Sequence, residues 1–269
     1  GTVWTRSFSV DGTLTYNSTP VITDDAIYLV SGNTLYELDL DGNIKRQMAL
    51  AATMNSVCYM SRQENTLWIP LSGGKMQCVD INTMQSLWVS EAFGGQSLSY
   101  VTVYNGYVYA GTAEVSINST QGTFYCLDAR TGKLQWKYRN EEQPGGYYWG
   151  GSVVMDDKLY FAGDNGILVE HDLVEDTVYR EISITQKGRI RSDLQYVAEH
   201  AIYATSNTGE ICRFDGSEVT TYTMFPRAKA VNCTSTMSIV DDTAYVGAMA
   251  DGMGYLCVWD MQTHSMRYT

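Results

Sequence analysis

The residues best equipped for chemistry gather in three short stretches. Arg139-Asn140-Glu141-Glu142-Gln143-Pro144-Gly145-Gly146-Tyr147-Tyr148-Trp149 joins charge, flexible backbone and three consecutive aromatics. Gln186-Lys187-Gly188-Arg189-Ile190-Arg191-Ser192-Asp193 and Arg227-Ala228-Lys229 are shorter and basic. Together they hold six of the chain's 18 Lys and Arg, although the net charge is -12. Cations beside aromatic rings suit an acidic peptide or a carbohydrate, through charge-assisted hydrogen bonds and ring stacking. The candidate binding residues are therefore Arg139, Glu141, Glu142, Tyr147, Tyr148, Trp149, Arg189, Arg191, Arg227 and Lys229. The competing reading is that Tyr147–Trp149 simply enter the next strand and pack there.

Other reactive side chains group less well. His171, His200 and His264 are widely scattered, and no Ser–His–Asp or zinc spacing includes them. Six cysteines, at 58, 78, 126, 212, 233 and 257, show no CxxC and no adjacent pair. They read as small buried hydrophobes, with disulfides or a metal as the alternative. Asp39-Leu40-Asp41-Gly42-Asn43 begins like a calcium loop but lacks the later ligands of a twelve-residue loop. A tight turn explains it better. Asp24-Asp25, Asp156-Asp157 and Asp241-Asp242 recur at one repeat position, which marks them as hairpin turns rather than paired catalytic acids. Three glycosylation sequons begin at Asn17, Asn118 and Asn232, a short pattern with many chance matches. No catalytic residue and no metal ligand is predicted.

Composition removes whole classes of partner. An acidic chain of 269 residues with 18% charged residues lacks the basic surface that nucleic acid requires. No apolar run reaches the length of a membrane span. Gly1 reads as the start of a processed or excised chain, so a removed leader is invisible here. A Ser-, Thr-, Tyr- and Gly-rich composition with few lysines points to an extracytoplasmic location.

The elements that position these stretches follow from an internal repeat. Its best copy is 122–138, GTFYCLDARTGKLQWKY, in which Phe124–Asp128 alternates as a strand buried on both faces. Asp128 can accept the turn amides that follow, and Gly132 supplies a positive φ. Lys133–Tyr138 returns as a second strand carrying Trp136. Equivalent aspartates stand at Asp39, Asp80, Asp128, Asp172, Asp215 and Asp260, separated by 41, 48, 44, 43 and 45 residues. Tyr28, Trp68, Tyr109, Tyr160, Tyr203 and Tyr245 lie on the strand before each. The large residue of the fourth strand is Trp88, Trp136, Tyr179, Tyr222 or Tyr268, whereas the first repeat offers only Arg46–Met48.

Four short strands fit each period, and no segment has sustained helical periodicity. Six such units, apolar on both faces, must stack, and radial closure protects their edges. The fold class is thus all-β, a β-propeller of four-stranded antiparallel blades. Six blades are expected, with seven or eight as the alternative if part of the ring lies outside this chain. Residues 1–269 are expected to form a single domain, with 2–8 as an outer strand closing the last blade. The connections between blades then gather the three basic stretches on one face. Thr112–Gly122 is an insertion in the third blade that should protrude elsewhere.

Leu127-Asp128-Ala129-Arg130-Thr131-Gly132 with Trp136, and Asp80-Ile81-Asn82-Thr83 with Trp88, resemble the PQQ-like (quinoprotein) β-propeller repeat family over nearly the whole chain. The resemblance implies structural roles for Asp39, Asp80, Asp128, Gly132, Trp88 and Trp136, with each Trp docked between blades. The family includes quinone-dependent dehydrogenases and non-catalytic members such as the bacterial outer-membrane assembly lipoprotein. The dehydrogenases resemble longer, eight-bladed chains with a vicinal cysteine pair and calcium ligands, none of which matches a motif here. PQQ with calcium is thus implied by resemblance only, and no cofactor is expected. The sequence reads as a non-enzymatic module binding a protein or a carbohydrate through its inter-blade loops. A quinone-dependent or carbohydrate-active enzyme at the channel mouth, and a structural spacer between flanking domains, are the alternatives.

Overall fold

The computed structural model describes residues 2–10, 13–14, 17–54, 59–116, 119–186, 188–197 and 201–269. Cys58, Asn118, Lys187 and His200 fall outside the described residues.

Every described regular element is a strand, and apart from two short hairpins (Ser9–Val10 with Thr13–Leu14, and one in the third sheet's insertion) the described strands form six antiparallel sheets in simple sequential order. The first holds Val21–Ile22, Ile27–Ser31, Thr34–Leu38 and Ile44–Ala49. The second holds Ser61–Gln63, Thr66–Leu71, Lys75–Asp80 and Gln85–Val89. The third is Thr102–Tyr104, Tyr107–Gly111, Phe124–Asp128 and Leu134–Tyr138. Ser152–Met155, Lys158–Ala162, Ile167–Asp172 and Thr177–Ser183 make the fourth. Gln195–Val197, Ala201–Thr205, Glu210–Phe214 and Val219–Thr223 make the fifth. In the sixth, Val231–Asn232 and Ser238–Val240 both pair with Thr243–Ala250, followed by Met253–Asp260 and Met266–Tyr268. This is the all-β, four-stranded-blade architecture expected from the repeat. The insertion in the third sheet carries its own hairpin, Glu114–Ser116 with Ser119–Gln121.

The chain falls into two compact units, residues 1–139 and 140–269, with three sheets in each. Cores lie between successive sheets. In the first unit Leu35, Leu67, Ile69 and Val79 fill the space between sheets one and two. Trp68, Cys78, Tyr125 and Leu127 do so between two and three. In the second unit Leu168, Ile202, Cys212 and Phe214 join sheets four and five, and Ile211, Val246, Cys257 and Trp259 join five and six. The central strands of the second and fifth sheets face a neighbour on each side, which is why they are apolar on both faces. Cys78, Cys126, Cys212, Cys233 and Cys257 are buried and unbridged. Burial pushes the thiols of Cys78 and Cys257 up to about 12 and about 11.

All six repeat aspartates cap their turns. Asp128 Oδ1 accepts the amides of Arg130 (3.1 Å) and Thr131 (2.7 Å) and the Thr131 hydroxyl. Asp39, Asp80, Asp172, Asp215 and Asp260 do the same with the amides two to four residues on. Gly132 has φ of 70°, and a Cβ there would lie 2.4 Å from the Trp88 ring. Glycine is thus needed both for the turn and for the docked indole.

Two expectations need correction. Residues 2–8 lie in no strand, and the outer position of the sixth sheet is held by Met266–Tyr268. Trp4 instead donates its indole N–H to the Leu40 carbonyl at 2.8 Å and covers Gly42, repeating the way Trp88 sits on the Ala129–Gly132 turn. The large residue of the fourth strand is also misassigned. By register the counterpart of Trp136, which stands across from Cys126, is Arg180 across from Glu170, not Tyr179. A β-bulge lies beside that position in each of sheets one to four, and Trp88, Trp136 and Arg180 stand the same eight residues after Asp80, Asp128 and Asp172.

Candidate functional site

The structure distributes the predicted binding residues rather than gathering them. Arg139 belongs to the first unit and pairs with Glu114 of the insertion at 3.7 Å. Glu141 and Glu142 are exposed at the start of the second unit. Their loop is tied down by Asn140, whose Oδ1 accepts the Gln143 amide at 2.8 Å, and by Asn165, which donates to the Gln143 carbonyl. Tyr147 and Tyr148 do not line an open surface. Both are buried, and Tyr147 meets Phe161 edge-on at 5.6 Å. The packing alternative holds for these two rings, because the glycine pair before them lets the chain dive into the fourth sheet.

Trp149 stays half-exposed with its ring 5.0 Å from Tyr148. The Arg191 guanidinium stacks over it at 5.9 Å and reaches Asp164, whose side chain is fully buried, at 3.3 Å. One cation therefore satisfies a buried carboxylate and caps an aromatic ring. Arg189 is exposed, and its backbone amide is anchored on the Asn207 side chain at 2.7 Å. Asp193, two residues beyond Arg191, has its carboxyl pushed up to about 6 by burial. Its Oδ2 accepts the Thr236 hydroxyl at 3.1 Å.

Arg227 and Lys229 occupy the connection from the fifth sheet to the sixth. The Asp251 carboxylate accepts the amides of Lys229 and Ala230, at 2.9 and 3.0 Å, and fixes that connection against the Ala250–Met253 hairpin. Between the two lies a cleft of about 500 Å³ lined by Phe225, Arg227, Asp251, Met253, Tyr255 and Tyr268, among others. Phe225 stacks on Tyr268 at 5.2 Å and meets Tyr255 at 5.4 Å. The Tyr268 hydroxyl donates to the Met224 carbonyl, which orients its ring. Met253 is 62% exposed. An apolar, aromatic floor with an exposed guanidinium at its rim is suited to an aromatic or aliphatic side chain next to a carboxylate.

Sequence reasoning found Arg227 and missed the floor of this cleft. Tyr268 is read there only as the large residue of its fourth strand, and Phe225, Met253 and Tyr255 are not singled out. The legible signal was Phe225-Pro226 beside Arg227, an apolar pair at the start of a basic connection.

The described residues do not match the surroundings of a quinone with calcium. Among them no three His, Cys, Asp or Glu side chains come together as a donor set for a metal ion, and the sequence has no adjacent cysteine pair. The most heavily bonded buried carboxylate, Glu170, is occupied by Tyr160, Lys158 and Arg180 at 2.7 to 3.1 Å. That set reads as structural.

A family model described as outer membrane protein assembly factor BamB matches residues 60–265. BamB from Moraxella catarrhalis superposes with a TM-score of 0.73 at 17% identity, over 94% of this chain and 75% of its own. A quinohemoprotein alcohol dehydrogenase from Pseudomonas putida HK5 gives 0.73 at 12% identity, over 95% of this chain and 62% of that one. The quinohemoprotein alcohol dehydrogenase from Comamonas testosteroni gives 0.67 at 13%, over 92% and 53%. The chain thus spans less than two thirds of either dehydrogenase. At these identities the likenesses show the fold. No curated protein matches the chain.

Proposed function

The chain belongs to the family of the outer membrane protein assembly factor BamB, and from that premise we propose that it is a non-enzymatic propeller that binds an extended segment of a partner protein. Residues 1–269 are taken as one propeller domain, acting outside the cytoplasm. The observation that carries the reading is the cleft of Phe225, Tyr255 and Tyr268 with Arg227 at its rim. Three rings and a methionine offer an apolar seat for one anchoring side chain, and the guanidinium selects an acidic neighbour. Exposed Lys229, on the same connection, extends the positive rim.

The test is fluorescence anisotropy with a labelled peptide alternating glutamate and phenylalanine. Saturable binding that falls with added salt, and is lost in Phe225→Ala and Arg227→Glu, supports the reading. Binding unchanged in both variants overturns this site.

A quinone-dependent oxidoreductase is the competing reading, favoured by the fold shared with the two dehydrogenases. It predicts that PQQ with calcium raises the melting temperature saturably. The aromatic cleft with Arg227 at its rim favours the binding module.

A further inference from the structure

A planar side chain docks on one turn after another within the two units. In four turns the carbonyl directly after the repeat aspartate accepts its N–H. Trp4 Nε1 donates to Leu40 at 2.8 Å, Arg46 Nη2 to Ile81 at 2.8 Å, and Trp88 Nε1 to Ala129 at 3.0 Å. Arg180 Nη2 donates to Gly216. Arg46, Trp88 and Arg180 share one register, across from Glu37, Cys78 and Glu170, with a β-bulge beside each.

The fifth sheet breaks this rule. It has no bulge, and the residue at the arm's register is Thr220, across from Arg213. Threonine is too short to reach the next turn. The corresponding carbonyl of the sixth turn belongs to Met261, and among the described residues no N–H reaches it. Where the arm would lie, a cleft of about 580 Å³ opens. Arg213 and Tyr222 form one side, and Asp241, Asp242, Met261 and His264 the other.

The residues around the cleft decide which arm fits. Indoles sit only over glycine: a Cβ at Gly42 or Gly132 would lie 2.7 or 2.4 Å from the ring of Trp4 or Trp88. At the place of Gly132, the fourth after the aspartate, the turn beneath Arg46 carries Met84 and the sixth turn carries His264, both with positive φ. His264 therefore blocks an indole and leaves room for a guanidinium plane. Its ring is held against Tyr222, with Nε2 at 3.2 Å from the hydroxyl. Charge agrees. Arg213 is neutralised by Asp215 at 2.9 Å, so the two carboxylates of Asp241 and Asp242 leave the cleft anionic.

We propose that this cleft is an open arm seat that takes an arginine side chain of a partner polypeptide. The guanidinium donates to the Met261 carbonyl, and Asp241 and Asp242 supply the counter-charge. The carbonyl contact is the one that Arg46 and Arg180 make within the chain, offered to an arm from outside; their counter-charges, Glu37 and Glu170, lie on the arm's own sheet. The seat is separate from the aromatic cleft at Phe225 and has the opposite charge preference.

The test titrates the 269-residue protein with N-acetyl-L-arginine amide while following the His264 imidazole protons by NMR. N-acetyl-L-lysine amide and N-acetyl-L-tryptophanamide serve as comparisons. Arginine is expected to give a saturable shift, with lysine at least about fivefold weaker because it lacks the planar fork. The Asp241→Asn/Asp242→Asn double variant, at exposed positions, is expected to weaken arginine about tenfold, the loss of a charge-assisted contact. Thr220→Arg with Arg213→Glu rebuilds the Glu170–Arg180 pair in this sheet and should abolish the response. No saturable shift, equal shifts from arginine and lysine, or an unchanged response in the asparagine variant would each overturn the proposal.

Discussion

The Glu170 carboxylate, with no side-chain exposure, is held by the Arg180 guanidinium at 3.0 Å. Lys158 and the Tyr160 hydroxyl complete its bonding, and its pKa is lowered although burial alone would raise it. The same guanidinium lies over the Phe214 ring at 5.2 Å and reaches the turn of the next sheet. One side chain therefore joins the third and fourth strands of its own sheet to the neighbouring sheet. Removing the carboxylate leaves two cations and a phenol without their partner. Glu170→Ala is expected to cost about 3–5 kcal/mol, the usual penalty for breaking a buried pair from one side, read as a lower urea midpoint. Asp176→Asn, at the exposed end of its pairing with the buried His171, should cost under about 1 kcal/mol.

Trp88 and Gly132 form a second such junction, and their coupling can be measured. Gly132→Ala puts a Cβ at a φ of 70° and 2.4 Å from the indole. The strain of a left-handed alanine is about 1–2 kcal/mol, and overpacking adds about 1–3 kcal/mol. In a Trp88→Ala background only the backbone strain remains. The glycine substitution should therefore cost measurably less there, and a double-mutant cycle by chemical denaturation checks it. Equal costs in both backgrounds would show that the indole does not rest on that turn.

Acid should unpick the repeat turns together. The carboxyls of Asp39, Asp128, Asp172, Asp215 and Asp260 are all held below the usual carboxylate range by hydrogen bonds to turn amides, hydroxyls or neighbouring side chains. A group whose pKa is depressed on folding adds stability above its unfolded value, near 3.8. That stability is lost as pH falls through the folded values. The melting temperature should thus drop steeply below about pH 4. Asp128→Asn should flatten that drop while lowering stability at pH 7, as followed by circular dichroism.

How much of this was legible depended on whether a feature was local. The Asp128 turn could be read from the sequence because its donors lie within three residues of it, and those of the other five aspartates lie within four. The blade architecture followed from their spacing. Residue pairings across strands were less accessible. Arg180 was passed over for Tyr179 because an aromatic beside it was the more obvious counterpart of Trp136, although Arg180 stands the same eight residues after its aspartate. Tyr147 and Tyr148 looked like binding residues because they adjoin Pro144-Gly145-Gly146. Their burial depends on Phe161 and other residues that only the fold brings near. Phe225, Tyr255 and Tyr268 come from three separate segments, so no stretch of sequence announces their cleft.

Asp193 offers the clearest test of burial acting on charge. Its Oδ1 is buried with no hydrogen-bond partner among the described residues, while Thr236 serves Oδ2. Burial raises the carboxyl from 3.8 to about 6. The sign is opposite to that of the turn aspartates. A pKa raised on folding means that the contribution is fully present below the unfolded value and is lost as pH rises through about 6. At pH 7 the folded protein must hold an ionised, half-solvated carboxylate at a cost of about 2–3 kcal/mol. Asp193→Asn keeps an acceptor for Thr236 and removes the charge. Its melting temperature should exceed that of the parent at pH 7, and the gap should close by pH 4. A gap independent of pH would mean that packing, and not ionisation, sets the stability of this position.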